Sequence, residues 1–102
     1  MKLCLTPDQV KQLDAVGLII RESTRNAYFR IDVGMLISAL PTHIVTVNER
    51  KKRTYTLDMY YIDKHWVVEY NHFDDMLYLE SAPELIDALF AMVMKIRTDE
   101  SQ

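Results

Sequence analysis

The chain of 102 residues contains one cysteine, two glycines and three prolines. A lone cysteine cannot form an internal disulfide, which excludes the small secreted folds that disulfides hold together. With two glycines, the chain also cannot build the glycine-rich loops that bind phosphate groups. So few glycines and prolines predict regular elements joined by short turns.

The sequence also lacks an excess of positive charge and any long apolar run. Its net charge is −3, which argues against a dedicated nucleic-acid binder, because such domains are usually basic. No apolar stretch of about 18 residues and no signal-peptide core occurs, so no membrane association is expected. We therefore expect one cytoplasmic domain, since 102 residues leave no room for a second.

Capping residues mark the starts of three helices. Thr6-Pro7-Asp8-Gln9 combines an N-cap hydroxyl, a proline at the first helical position and a glutamine that completes a capping box. Asp32 is the predicted cap of a second helix, which Pro41 ends. Ser81 and Glu84 have the spacing of a second capping box and predict a third helix.

The segment between the first two helices has weaker signals. Gly17 is placed to end the first helix in the left-handed conformation. Leu18 to Arg21 and Ala27 to Ile31 are short apolar runs on either side of a predicted turn at Ser23 to Asn26. Both runs are expected to be extended.

From His43 onward the hydrophobic period changes to two, which predicts strands at Ile44 to Asn48, Thr54 to Ile62, His65 to Tyr70 and Met76 to Glu80. The predicted apolar face carries Tyr55, Leu57, Met59, Tyr61, Trp66, Val68 and Tyr70, and the mixed face carries Thr54, Thr56, Asp58, Tyr60, Val67 and Glu69. We predict an α+β fold: an antiparallel meander of about four strands with helices packed on one face. It forms a single domain over 1–97, followed by a frayed tail over 98–102.

The chain resembles a family of small proteins from bacterial prophages and mobile elements that has no assigned activity. The resemblance covers nearly the full length. It is carried by Leu5-Thr6-Pro7-Asp8-Gln9 with Leu13 and Gly17, Met35 to Pro41, Tyr55-Thr56-Leu57, Trp66 to Tyr70, and Glu84 to Leu89. It implies the origin and the fold, and implies no chemistry.

The most unusual local feature is the basic tip, which we define as Arg50, Lys51, Lys52 and Arg53. Four cations at a hairpin end can straddle a phosphate backbone, with Tyr55 or Tyr60 stacking on a base. They can equally bind an acidic protein partner, or they can keep a solvated turn polar. Tyr60 is a second candidate contact residue, because its mixed face has small polar neighbours.

The third predicted helix has an apolar arc of about 200°, wider than the ~100° that a surface helix needs. One sheet and one neighbouring helix leave part of this arc uncovered, so Phe90, Met92 and Met94 are predicted to mediate self-association, most simply as a homodimer. The competing interpretation is a monomer in which the first helix covers the second flank.

Nothing in the sequence predicts a catalytic centre, a cofactor or a metal ion. His43, His65 and His72 form no helical metal-binding pair, and each serine has a local structural role. The one loose cluster, Glu69 with His72, Asp74 and Asp75, is explained as readily by a solvated loop. We therefore predict a non-enzymatic accessory protein of phage or mobile-element type that binds a macromolecule, with a protein favoured. The alternative is a nucleic-acid-binding regulator that uses the basic tip.

Overall fold

The computed structural model describes residues 2–15 and 31–100, except for the side chain of Glu100. Its elements are α1 (Pro7–Ala15), α2 (Val33–Ala39), β1 (His43–Asn48), β2 (Lys51–Ile62), β3 (His65–His72), β4 (Asp75–Ala82) and α3 (Leu85–Glu100). The predictions for Gly17 and for the two short apolar runs up to residue 30 lie outside the described residues. No described helix is both long and apolar enough to cross a bilayer.

The four strands form one sheet in the order β1-β2-β3-β4, and each pairs antiparallel with its neighbour in the chain. Leu57 lies opposite Tyr70, and Met59 lies opposite Val68, so these side chains share the face that meets the helices. This arrangement confirms the predicted α+β meander with helices on one face.

The core lies between this face of the sheet and the helices, and α3 packs against α2, β3 and β4. The buried cluster contains Leu5, Leu13, Ile31, Leu36, Leu40, Tyr55, Val68, Tyr70, Ile86, Ala88, Leu89, Met92, Val93 and Ile96. Tyr61 lies on the same face but is 57% exposed, so the core ends before it reaches this end of β2.

The first two helices begin where local capping chemistry predicts. The backbone N–H of Gln9 donates to Thr6 Oγ1 at 3.2 Å, and the Thr6 N–H donates to Gln9 Oε1 at 3.0 Å, which is the predicted capping box. The Met35 N–H donates to Asp32 Oδ1 at 3.0 Å at the start of α2. Both caps satisfy backbone donors that have no partner within their helix.

The third helix begins later than predicted. Ser81 pairs with Val67 in the sheet, so the capping box predicted at Ser81 is wrong. The Glu84 carbonyl instead accepts from the N–H groups of Asp87 and Ala88, each at 3.2 Å, and α3 starts at Leu85. At its other end α3 continues to Glu100, so the tail predicted to fray from residue 98 is helical as far as it is described.

All three hairpins use turns of only two residues, at 49–50, 63–64 and 73–74. Glu49 and Arg50 have φ of 51° and 73°, and Asp63 and Lys64 have φ of 51° and 63°. Positive φ at both central residues is typical of the mirror-image turns that match the twist of paired strands. The sequence predicted a longer charged loop, but the short first turn means that β2 begins at Lys51, so most of the basic tip belongs to a strand.

Candidate functional site

The strand geometry divides the basic tip between two surfaces. Successive side chains of a strand point to opposite faces. Lys51 and Arg53 therefore lie on the same side of the sheet as Tyr55, which is the side that meets the helices. Lys52 lies opposite Val47 on the other face, which we call the open face. The cations of the basic tip, which were predicted to act together, therefore do not lie on one surface.

Arg53 is engaged within the chain. Its guanidinium forms an ion pair with Asp75, and the Tyr55 hydroxyl donates to the same carboxylate oxygen at 2.8 Å. The Tyr55 hydroxyl, followed by the Arg53 guanidinium, lowers the pKa of Asp75. The same two neighbours, Tyr55 and then Asp75, raise the pKa of Arg53. Both groups stay charged at neutral pH, so Asp75 is a poor general base.

A cleft of about 270 Å³ lies beside this network, on the helix-bearing side of the sheet. It is lined by Thr46, Asn48, Glu49, Lys51, Arg53, Tyr55 and Asp75. Its two cationic side chains are matched by two carboxylates, so the cleft does not concentrate positive charge as a phosphate site does.

Neither tyrosine proposed for base stacking presents a free ring beside the basic tip. Tyr55 is 6% exposed and its hydroxyl is bonded to Asp75, so its ring is not available to a base. Tyr60 is 37% exposed on the open face, but it lies about 27 Å along β2 from Lys52 at ~3.4 Å per residue. The structure does not bring the predicted contact residues into one site.

The open face of the sheet carries exposed apolar side chains towards both of its ends, and none of the described helices packs on it. The exposed members are Val45 at 51%, Val47 at 73%, Tyr60 at 37%, Ile62 at 53%, Met76 at 49% and Leu79 at 44%. Val67, in the middle of this face, is only 7% exposed. Val45 and Val47 lie at one end of this face, whereas Tyr60, Ile62 and Leu79 lie near Val67 towards the other end. Scattered apolar residues are normal on a surface, whereas a group such as the one near Val67 is typical of a contact site.

A polar cluster interrupts this apolar surface. Asn71 Nδ2 donates to Glu69 Oε1 at 3.0 Å and to Asp58 Oδ2 at 3.4 Å. The pKa of Tyr60 is raised, mainly by burial and to a smaller extent by the negative charge of Glu69. The cluster makes the part of the open face near Tyr60 acidic, while the Asn48 end of β1 is flanked by cations.

Sequence reasoning missed two features of the exposed surface. The sequence predicts a strand that contains Val45 and Val47 but does not indicate which face of the sheet they occupy. In the structure both alternate with Thr46 and lie on the open face. Phe73 lies in the turn between β3 and β4, where its side chain is 91% exposed at a backbone φ of 52°. A bulky residue rarely adopts a positive φ, and no sequence signal marks this position.

The three residues predicted for self-association differ in their exposure. Met92 is fully buried, so its assignment to an exposed contact surface is wrong. Phe90 and Met94 are half-buried and pack against the core. The prediction assumed that one flank of α3 stays open, but Leu13 of α1 joins the same buried cluster, and Gln9 Nε2 donates to Asp87 of α3 at 3.0 Å.

The residues of the loose acidic cluster are separated. Glu69 lies on the open face and bonds Asn71, whereas Asp75 lies on the other side with Arg53 and Tyr55. His72 Nδ1 lies 3.2 Å from the carbonyl oxygen of Thr54. Within residues 2–15 and 31–100, no three histidine, cysteine, aspartate or glutamate side chains lie close enough to share a metal ion.

Comparison with known proteins gives no relative: no family model, curated protein or solved structure matches this chain.

Proposed function

We propose that this protein is a non-enzymatic accessory protein of phage or mobile-element type, an origin that the resemblance implies, and that it acts by binding a protein partner in the cytoplasm. The observation that supports it best is the open face, where apolar side chains near Val67 are exposed to solvent. Exposed apolar groups rimmed by polar residues are typical of protein-binding surfaces.

The arrangement of charge favours a protein over a nucleic acid as the partner. Arg53 is paired with Asp75, and Lys51 and Lys52 point to opposite faces. A phosphate backbone requires several cations on one surface. The open face instead carries Asp58 and Glu69 between its apolar side chains, and these carboxylates repel phosphate.

The test is affinity purification from the cells that naturally express the protein, followed by mass spectrometry and nucleic-acid sequencing. Leu79→Lys changes the open face, and Gln12→Lys adds the same charge on the exposed side of α1. We expect a protein that is recovered with the wild type and with Gln12→Lys, and is lost with Leu79→Lys. Recovery of nucleic acid alone, or a partner unaffected by Leu79→Lys, would contradict the proposal.

A further inference from the structure

The two edges of the sheet differ in how they are protected. β4 contains Asp75 and Glu80, has a register shift opposite Tyr70 and Asn71, and packs against α3. Charged residues and bulges are the usual devices that keep an edge strand from pairing with another chain. β4 is therefore a protected edge.

β1 has none of these devices. Its sequence, His43 to Asn48, contains no proline and no acidic or permanently charged side chain, and its register with β2 has no irregularity. Three of its six residues are β-branched valine or isoleucine, and a fourth is threonine, which are residues that favour extended pairing. No strand within the described parts of the chain pairs with the outer side of β1.

The hydrogen-bond register identifies which groups of β1 face outward. The Leu57 N–H donates to the Thr42 carbonyl at 3.1 Å, which makes Thr42 and Leu57 a hydrogen-bonded pair. Bonded and non-bonded pairs alternate along an antiparallel ladder. Ile44 and Thr46 therefore bond β2, and the backbone groups at 43, 45 and 47 point away from the sheet.

The same three positions carry their side chains on the open face. Val45 and Val47 are among its most exposed residues, at 51% and 73%. A strand added beside β1 would bond their backbone groups and pack its own alternate side chains beside theirs. β1 thus offers directional hydrogen bonds and apolar contact at the same positions.

The charge along β1 is uneven. Asn48 lies opposite Lys51 and Val47 opposite Lys52, so the last two residues of β1 each have a cation across the strand pair. Thr46 lies opposite Arg53, whose charge is paired with Asp75. The segment 49–53 carries one acid and four bases. A strand beside β1 would be favoured if it carried carboxylates next to this end.

We propose that β1 is a docking edge for an extended segment of a partner protein, which adds antiparallel to the sheet with acidic residues beside the Asn48 end of β1. This inference rests on the proposed function and specifies how the partner binds. The segment has apolar or β-branched side chains at alternate positions, because these meet Val45 and Val47. Its carboxylates lie at its amino-terminal end, because an antiparallel strand would begin beside the Asn48 end of β1.

The probe is a short synthetic peptide of alternating valine and threonine with glutamates at its amino end. One control peptide has N-methyl groups on the amides that would face β1, and another has glutamine in place of glutamate. We expect the first peptide to bind, the N-methylated peptide not to bind, and the glutamine peptide to bind about tenfold more weakly. Equal binding by the N-methylated peptide would overturn strand addition.

Amide hydrogen exchange locates the binding without any substitution. The N–H groups of Val45 and Val47 should exchange more slowly with the peptide bound, whereas those of Ile44 and Thr46 already bond β2 and should change little. Val45→Pro removes one outward donor and should abolish binding, with Val45→Thr as the matched control. Protection confined to other strands would contradict the assignment.

A second copy of the chain is the competing occupant of β1. If sedimentation of the protein alone shows a dimer in which the same outward amides of β1 are protected, the acidic-segment proposal is overturned. If the peptide fails to bind but a partner still depends on Leu79, the proposed function stands and only the docking edge fails. The two proposals can thus fail independently.

Discussion

The hydroxyl of Tyr70 donates a hydrogen bond of 2.6 Å to the carbonyl oxygen of Pro41, 29 positions earlier in the chain. Tyr70 is fully buried in β3, and Pro41 lies in the connection between α2 and β1. This bond fixes the point at which the chain passes from the helical layer into the sheet. It also satisfies a phenol that would otherwise be buried without a partner.

Tyr70→Phe should lower the free energy of unfolding by about 1 kcal/mol, because it leaves the Pro41 carbonyl without this donor while preserving the ring. The matched control is Tyr61→Phe, at a position that is 57% exposed, which should change stability by less than ~0.5 kcal/mol. Urea denaturation at neutral pH measures both. Equal effects would contradict the structural role of the hydroxyl.

The same residue should limit stability at alkaline pH. Burial raises the pKa of Tyr70 to about 12, from an ordinary value of 10.0. The unfolded chain therefore loses this proton at lower pH than the folded chain does, and the stabilisation is lost as the pH rises from about 10 to about 12. Over this range the wild type should lose stability more steeply than Tyr70→Phe.

The Asp75 carboxylate, which accepts a hydrogen bond from Tyr55 and pairs with Arg53, should give the opposite pH dependence. The pKa of Asp75 is lowered from 3.8 in the folded protein, so its stabilisation is present above 3.8 and is lost as the pH falls below it. Asp75→Asn should therefore be less stable than the wild type at neutral pH and low salt, and the difference should disappear in acid. Asp74→Asn removes a neighbouring charge and is the control; identical profiles for the two variants would count against the network.

Lys64→Gly should stabilise the protein by about 1 kcal/mol, because glycine adopts a positive φ without the steric penalty of a β-carbon. Lys64 has a φ of 63° in the turn between β2 and β3. The matched control is Lys64→Ala, which removes the same charge but keeps the β-carbon. A thermal melt that rises equally for both would show that charge, and not backbone conformation, is responsible.

Met92→Ala should destabilise the protein by about 2–5 kcal/mol, since it removes a fully buried side chain and leaves a cavity.

Self-association through α3 remains a prediction, with the half-buried Phe90 and Met94 as the expected contact residues. Light scattering would detect it as twice the chain mass of 12.0 kDa, and Met94→Glu should then restore the monomer without unfolding. A single-chain mass at every concentration would rule it out.

The parts of the fold that depend on nearby residues could be predicted from the sequence. Thr6 with Gln9, and Asp32 with Met35, form caps over three residues, and strand alternation assigned the two faces correctly. The predicted cap at Ser81 is wrong because Ser81 pairs with Val67 in the sheet. Residues close to Ser81 in the sequence do not reveal this distant partner.

The candidate surfaces were harder to predict because they depend on distant contacts. The charge of the basic tip was visible, but its division between two faces follows from the two-residue turn at Glu49 and Arg50. The pairing of Arg53 with Asp75 joins positions 22 residues apart. Met92 is buried in a cluster that draws residues from three helices and two strands, and the sequence does not show which of these elements meet.

Because strand order equals chain order, the sheet can assemble by successive hairpins. The turns at 49–50 and 63–64 close minimal loops, so little chain entropy is lost before each pairing. Contacts of the amino-terminal segment are different: Lys2 reaches Asp87 across 85 positions. We expect residues 43–100 to form the folding nucleus and α1 to dock last, so conservative substitutions at Val68 should slow refolding while substitutions at Leu13 mainly speed unfolding.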